Sequence, residues 1–177
     1  MPRLFTGLSV PPEVANRLTL LQFGLPRARW IEATDFHITL RFFGDVTGDQ
    51  ADDLAASLDQ LSHPIFRVQL QGLGAFGGAK PRLVWAGVLS SPALAALQQA
   101  HEVLAQRLGH PAEGRKFTPH VTLARLRGGT AQDVSTYLSM NEGGPIAEFE
   151  VREVLLYSAK ASTGGGPYLV EARYPLG

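Results

Sequence analysis

Twice in this chain the order histidine, β-branched apolar residue, threonine, leucine recurs, as His37-Ile38-Thr39-Leu40 and His120-Val121-Thr122-Leu123. No other feature restricts the fold as strongly. With 5 His and 10 Thr among 177 residues, a His-x-Thr arises by chance about 0.3 times per chain. Demanding an apolar middle residue and a following Leu lowers the expectation to about 0.02, and two copies to the order of one in ten thousand. Residues i and i+2 of a strand share a face, so each His stands beside its Thr while Ile38 or Val121 turns to the other side. Each motif therefore calls for a strand with one open and one buried face.

The surrounding pattern supplies such strands. Phe36, Ile38, Leu40 and Phe42 alternate with His37, Thr39 and Arg41, which predicts a strand over 36–43 ended by Gly44. A second strong strand is expected over 117–126, and others over 3–9, 66–70, 83–89, 148–158 and 168–174, the last two around a Gly-rich turn at Gly164 to Gly166. Helices are expected over 12–22, 50–61, 92–108 and 130–140, with Pro12 and Pro92 at first-turn positions and Ser91 as a cap. Hairpins outnumber the parallel crossovers this order allows, so the expected class is α+β with antiparallel sheets. No low-complexity linker divides the chain, and 109–114 is the best seam between its halves.

Composition narrows the chemistry. An apolar share of 45% and a charged share of 18% belong to a folded globular chain. The formal net charge is zero, so any nucleic acid is held by a local patch and not by the field of the whole molecule. There is no cysteine, which removes thiol nucleophiles, disulfides and Cys-based zinc sites. The N-terminal stretch has no signal-like apolar core, and apolar runs such as 83–89 are strand-sized, so the expectation is a cytoplasmic protein without a membrane span.

Two imidazoles and two hydroxyls brought to one cleft suit in-line phosphoryl transfer. Such a reaction needs a base on one side of phosphorus, an acid on the other, and donors for the non-bridging oxygens. Histidine can be neutral or protonated near pH 7, and threonine hydroxyls can donate as charge develops. Two rival readings compete with this one. A catalytic zinc would want a third protein ligand, and the carboxylates Glu32 and Asp35 lie near one His only. Purely structural histidines would sit on the apolar face, whereas both motif histidines fall on the polar parity of their strands. His101 lies on the helical stripe of Leu94, Leu97, Leu104 and Leu108 and is expected to be buried or half-buried, while His63 and His110 precede prolines in turns.

Longer segments resemble a known family. They are Arg3-Leu4-Phe5-Thr6-Gly7-Leu8 with Pro12, then Trp30, then the first motif extended through Arg41-Phe42-Phe43-Gly44-Asp45-Val46. They continue with Gly74-Ala75-Phe76, Pro81-Arg82-Leu83-Val84-Trp85-Ala86-Gly87, the second motif from Phe117-Thr118-Pro119 through Ala124-Arg125, Val154-Leu155-Leu156-Tyr157-Ser158 and Tyr168. This chain is similar to the bacterial and archaeal RNA 2′,3′-cyclic phosphodiesterases, also called the 2′-5′ RNA ligase family, of the 2H phosphoesterase superfamily.

The resemblance implies a single domain over 1–177 made of two pseudo-symmetric lobes. That is a bilobal α+β fold with two antiparallel-rich sheets and flanking helices around a central cleft. It implies hydrolysis of RNA 2′,3′-cyclic phosphate ends to 2′-phosphomonoesters with no metal and no cofactor, and in some members a reversible, ATP-independent 2′-5′ ligation. Its partners would be RNA 3′ ends, or nucleotides, with no protein partner, and the protein would be a monomer. Carried over by motif, His37 is the proton donor, His120 the proton acceptor, and Thr39 and Thr122 hold the phosphate. The motifs themselves are nearly symmetric and leave acid and base undecided.

Four further residues are candidates for substrate binding. Arg41 shares the parity of His37 and Thr39 and is expected to face the cleft, the alternative being an exposed charge at a strand end. Arg125 matches the family pattern, yet strict alternation from His120 sends it to the opposite face unless a bulge re-aims it. Phe76 and Tyr168 are candidate base-stacking rings, with core packing the alternative for Phe76. Lys80 and Arg82 belong either to the cleft rim or to a solvated turn.

Overall fold

The computed structural model describes residues 3–141, 143–159 and 166–177. Its strands are β1 (Arg3–Ser9), β2 (Ala28–Trp30), β3 (His37–Asp45), β4 (Phe66–Phe76), β5 (Leu83–Val88), β6 (His120–Leu126), β7 (Pro145–Val151), β8 (Glu153–Ala159) and β9 (Tyr168–Pro175). The helices are α1 (Pro12–Thr19), α2 (Gly48–Asp59), α3 (Pro92–Arg107) and α4 (Ala131–Met140), with one 3-10 turn at Ala33–Asp35. Gly164 and Gly165, part of the expected turn before β9, lie outside the described residues.

Helix starts follow their capping chemistry. Thr47 accepts from the Gln50 backbone N–H at 3.2 Å, and the Gln50 side chain accepts from the Thr47 N–H at 2.8 Å. This reciprocal box starts α2 at Gly48, two residues before the apolar periodicity places it. Ser91 and Thr130 cap α3 and α4 with one bond each, their hydroxyls accepting from the backbone N–H of Leu94 and Asp133.

The described strands are antiparallel throughout and run in the order β7-β4-β5-β6-β3-β1-β8-β9, with β2 also paired to β6. The two expected sheets are thus one connected network, joined between β3 and β6 by the single pair Ile38 with Val121. Those are the middle residues of the two repeated motifs. With the strands antiparallel about that pair, His37 lies on the side of Thr122 and Thr39 on the side of His120.

The segment 148–158, read above as one strand, is two. Arg152 breaks it, so that β7 pairs with β4 in one half of the sheet and β8 pairs with β1 in the other. The apolar alternation slips there at two successive charged residues, Arg152 and Glu153, and the two pieces take different partners.

Ile38, Leu40, Val121 and Leu123, at most 3% exposed, form one core with Val14 and Leu18 of α1, Leu94 and Leu97 of α3, and Val134 and Tyr137 of α4. Truncating any of these leucines to alanine would cost about 2–5 kcal/mol. A second cluster packs Leu54 and Leu58 of α2 and Leu104 of α3 against Leu4, Phe43 and Leu156. The helices therefore cover the face bearing the middle and last residues of each motif, and leave the His and Thr face open.

Candidate active site

Both motif strands carry an extra residue at the same place. On β3, Thr39 pairs with Gly7 and Arg41 with Thr6, leaving Leu40 unpaired between them. On β6, Thr122 pairs with Trp85 and Ala124 with Val84, leaving Leu123 unpaired. A bulge at each motif leucine reverses the alternation that follows it. His37, Thr39 and Phe42 therefore share one face of β3, and His120, Thr122 and Arg125 share one face of β6.

The imidazoles are oriented alike. Each Nδ1–H donates to the backbone carbonyl two residues earlier, His37 to Asp35 at 2.8 Å and His120 to Thr118 at 2.7 Å. A carbonyl can only accept, so both rings carry a proton on Nδ1 and present Nε2 to the cleft. The Nε2 of His37 lies 3.0 Å from the Thr39 hydroxyl, which donates to it when the ring is neutral. Gly7 lets β1 lie close to β3 and to Tyr157: a Cβ there would stand 2.8 Å from the Ile38 carbonyl oxygen and 3.3 Å from the Tyr157 ring.

An aromatic ring meets each imidazole edge-on. Tyr168 packs against His37 with centroids 5.0 Å apart at 86°, and Phe76 against His120 at 5.1 Å and 87°. The Tyr168 backbone N–H donates to the Asp35 carboxylate at 3.2 Å, tying β9 to the approach of His37. Burial pushes the pKa of His37 down to about 4, opposed by the carbonyl bond and the negative charge of Asp35 and reinforced by His120 and Arg125. Burial also lowers the pKa of His120, against the bond to the Thr118 carbonyl.

The cleft between these groups has a volume of about 200 Å³ and is lined by both histidines, both threonines, Arg125 and Tyr168. Arg125 has no ion-pair partner among the described residues, and its Nε is buried without a hydrogen-bond partner in the protein. A cavity of about 370 Å³ adjoins the cleft and shares Thr39, Phe42, Phe76 and His120 with it. Among the described residues no three His, Asp or Glu side chains converge as a metal-ligand set.

Of the residues singled out above, His37, Thr39, His120, Thr122, Arg125, Tyr168 and Phe76 all line the 200 Å³ cleft. Arg125 reaches it through the bulge, and Phe76 is a wall residue, not a core one.

Arg41 does not line this cleft, although it does line the adjoining 370 Å³ cavity. The bulge at Leu40 turns it to the buried side, where it is 8% exposed and pairs with Glu102 of α3 at 2.5 Å. Its Nη1 and Nη2 also donate to the carbonyls of Phe42 and Pro111. Phe42 takes the place expected of Arg41 and is 53% exposed in the cleft wall. Arg82 lines the cleft, as one of its two readings held, and Lys80 does not line it. Arg115 also lines it and was missed, because nothing in the local pattern of its loop marks it.

Comparisons with known proteins place the chain in a family. The model of the 2′-5′ RNA ligase superfamily matches residues 10–163. The RNA 2′,3′-cyclic phosphodiesterase of Aquifex aeolicus is 31% identical, over 98% of this chain and 94% of its own length. That of Escherichia coli is 26% identical, over 98% and 96%. The solved structure of Escherichia coli LigT complexed with 3′-AMP has a TM-score of 0.80 at 26% identity and covers 99% of both chains. A Thermus thermophilus structure has a TM-score of 0.83 at 22% identity, over 98% and 97%, and bears on the fold alone. The chain, an α+β protein with two HxT strands side by side, thus belongs to the 2′-5′ RNA ligase family of RNA 2′,3′-cyclic phosphodiesterases within the 2H phosphoesterases.

Proposed function

We propose that this protein hydrolyses the 2′,3′-cyclic phosphate at the end of an RNA to a 2′-phosphomonoester, without a metal. One observation carries the reading: both Nδ1–H groups are committed to backbone carbonyls, so both Nε2 atoms are free to exchange protons in one cleft beside two hydroxyls. The guanidinium of Arg125, half-buried, without a carboxylate partner and with its Nε unbonded, adds a cation where a phosphate would lie.

In the forward reaction His120 Nε2 takes a proton from water as the water oxygen bonds to phosphorus. The bond from phosphorus to the 3′ oxygen breaks, and His37 Nε2–H delivers its proton to that oxygen. Thr39, Thr122 and Arg125 donate to the non-bridging oxygens as charge builds. With a 5′ hydroxyl in place of water, the same transfer joins two RNA ends through a 2′-5′ bond. No nucleotide is consumed, because the bond formed replaces the strained one broken.

A second reading exchanges the two histidines. The depressed pKa of His37 favours it, since His37 is then neutral, as a base must be, in the free protein. A 3′-thio leaving group, which needs no general acid, separates the two: it should rescue His37→Ala in the first reading and His120→Ala in the second. The proposed hydrolysis yields a 2′-phosphate; a 3′-phosphate would show that the 2′ oxygen departs and would sink it. In the same assay His37→Ala and His120→Ala should each lose activity by at least about a hundredfold while remaining folded. Survival of activity in EDTA is expected, and its loss would overturn the metal-free mechanism.

A further inference from the structure

We propose that the 370 Å³ cavity beside the cleft is a subsite for the RNA chain upstream of the reacting end, in which Arg115 and Lys116 hold the phosphate on the 5′ side of the terminal nucleotide. This inference rests on the phosphodiesterase reading above and specifies its substrate: an oligonucleotide end in preference to a mononucleotide.

Continuity is the first argument. The two cavities share Thr39, Phe42, Phe76, Arg82, Arg115 and His120, so a chain leaving the reaction centre enters the larger space between Phe42 and Phe76. The cyclic phosphate terminates the RNA at its 3′ side. Whatever extends away from it is therefore the rest of the nucleotide, then the phosphodiester on its 5′ side.

Chemistry is the second. A nucleotide offers a flat ring system and an anion, and the larger cavity offers the rings of Phe42, Phe76 and Phe117 with the cations Arg82, Arg115 and Lys116. Glu113 is the sole carboxylate in its lining, and it is paired with Arg115 at 3.3 Å. Arg82 and Lys116 have no ion-pair partner among the described residues. In a chain of zero net charge, this local excess of cations is a placed feature.

Preorganisation is the third. Arg115 and Lys116 lie on a segment without regular structure between α3 and β6, which would ordinarily be mobile. The buried Arg41–Glu102 pair fixes it at two points. Arg41 Nη2 donates to the Pro111 carbonyl at 2.6 Å, and the Glu113 N–H donates to Glu102 Oε1 at 2.9 Å. Arg41 and Glu102 are thus positioning residues: they hold the cationic loop against Thr39 and His120 before any substrate arrives.

The test compares a nucleoside 2′,3′-cyclic phosphate with a dinucleotide and a trinucleotide bearing the same end. For the intact protein kcat/KM should rise about tenfold from mono- to dinucleotide and little more to the trinucleotide, as one charge-assisted phosphate contact implies. In the double variant Arg115→Ala, Lys116→Ala the ratio of dinucleotide to mononucleotide should fall to within about twofold of one, mostly through KM. The slope of log kcat/KM against log salt for the dinucleotide should flatten by about 0.7. The swap Arg115→Lys, Lys116→Arg should retain the ratio. Equal turnover of mono- and dinucleotide by the intact protein, or an unchanged ratio in the double alanine variant, would overturn the subsite. If neither substrate is hydrolysed, the phosphodiesterase reading fails by itself. Calorimetry with 2′-phosphate-ended mono- and dinucleotides then decides the cavity: tighter dinucleotide binding that the alanine variant loses supports it, and equal binding refutes it.

Discussion

Phe42 and Arg125 occupy equivalent positions, each five residues after the histidine of its motif and each turned into the cleft by a bulge at the motif leucine. The acid-base groups of the cleft are arranged symmetrically, but this pair is not. One side offers a ring, the other a cation. A substrate with a phosphate at one end and a base at the other can therefore settle in one direction only.

Removal of each member of that pair should have its own signature. Arg125→Ala is expected to lower kcat about a hundredfold, because its donor meets charge that develops in the transition state. Phe42→Ala should raise KM about tenfold and leave kcat nearly intact, as loss of a stacking surface does. Steady-state kinetics on one dinucleotide cyclic phosphate separates them; a pure KM effect for Arg125→Ala would place it outside the reacting phosphate.

The Arg41–Glu102 pair should reveal itself in stability. Arg41→Ala leaves Glu102 buried and unpaired, which costs about 3–5 kcal/mol. Arg41→Met with Glu102→Leu removes both charges and should recover most of that loss. Urea unfolding of the three proteins measures it. A surface arginine would give a loss of at most about 1 kcal/mol.

The pH profiles of kcat/KM and kcat should be displaced from each other. In the free protein burial lowers the pKa of both histidines, His37 to about 4, so the form with one proton shared between them is most populated on the acid side of neutrality. A bound phosphodiester anion favours the imidazolium and raises both values. The optimum of kcat/KM, which reports the free protein, is then expected at lower pH than the optimum of kcat. Coincident optima would show that the anion leaves the pair unperturbed.

His101 should make the fold sensitive to mild acid. It is 1% exposed, hydrogen-bonded through Nδ1 to the Thr6 hydroxyl at 2.8 Å, and burial lowers its pKa to about 4. Between its unfolded value near 6.5 and that folded value, the unfolded chain binds a proton that the native protein does not. Stability therefore rises with pH through this window, is complete above it, and falls by about 1.4 kcal/mol per pH unit as the solution is acidified. His37 acts in the same direction. Replacement by His101→Gln should remove about one proton from the uptake on unfolding, read from unfolding free energies between pH 5 and 7.

Much of this protein was legible before its tertiary structure. Two copies of His-x-Thr-Leu fixed two strands and the pairing of each imidazole with a hydroxyl, because the two-residue period of a strand is a property of the backbone alone. Caps and first-turn prolines placed the helices, and the class, α+β with antiparallel pairing, followed from the order of elements. The reading of His101 as a buried helix residue also held.

What local pattern could not decide was set by partners distant in sequence. A bulge exists only relative to a neighbouring strand, so alternation counted along β3 sent Arg41 to the cleft and Phe42 to the core, whereas Phe42 lines the cleft and Arg41 is buried against Glu102 beside the adjoining cavity. The same device brought Arg125 in. The division of 148–158 into two strands coincides with a slip in the alternation at Arg152-Glu153, but which half of the sheet each piece pairs with is set only by the tertiary structure. Arg115 and Lys116 gained their place only because Glu102 and Arg41, from a helix and a strand, hold their loop beside the cleft. The sequence by itself determined the reacting groups and the strands that carry them. Tertiary pairing decided what else faces them, since the direction of a side chain after a bulge is a property of two chains in register and not of one.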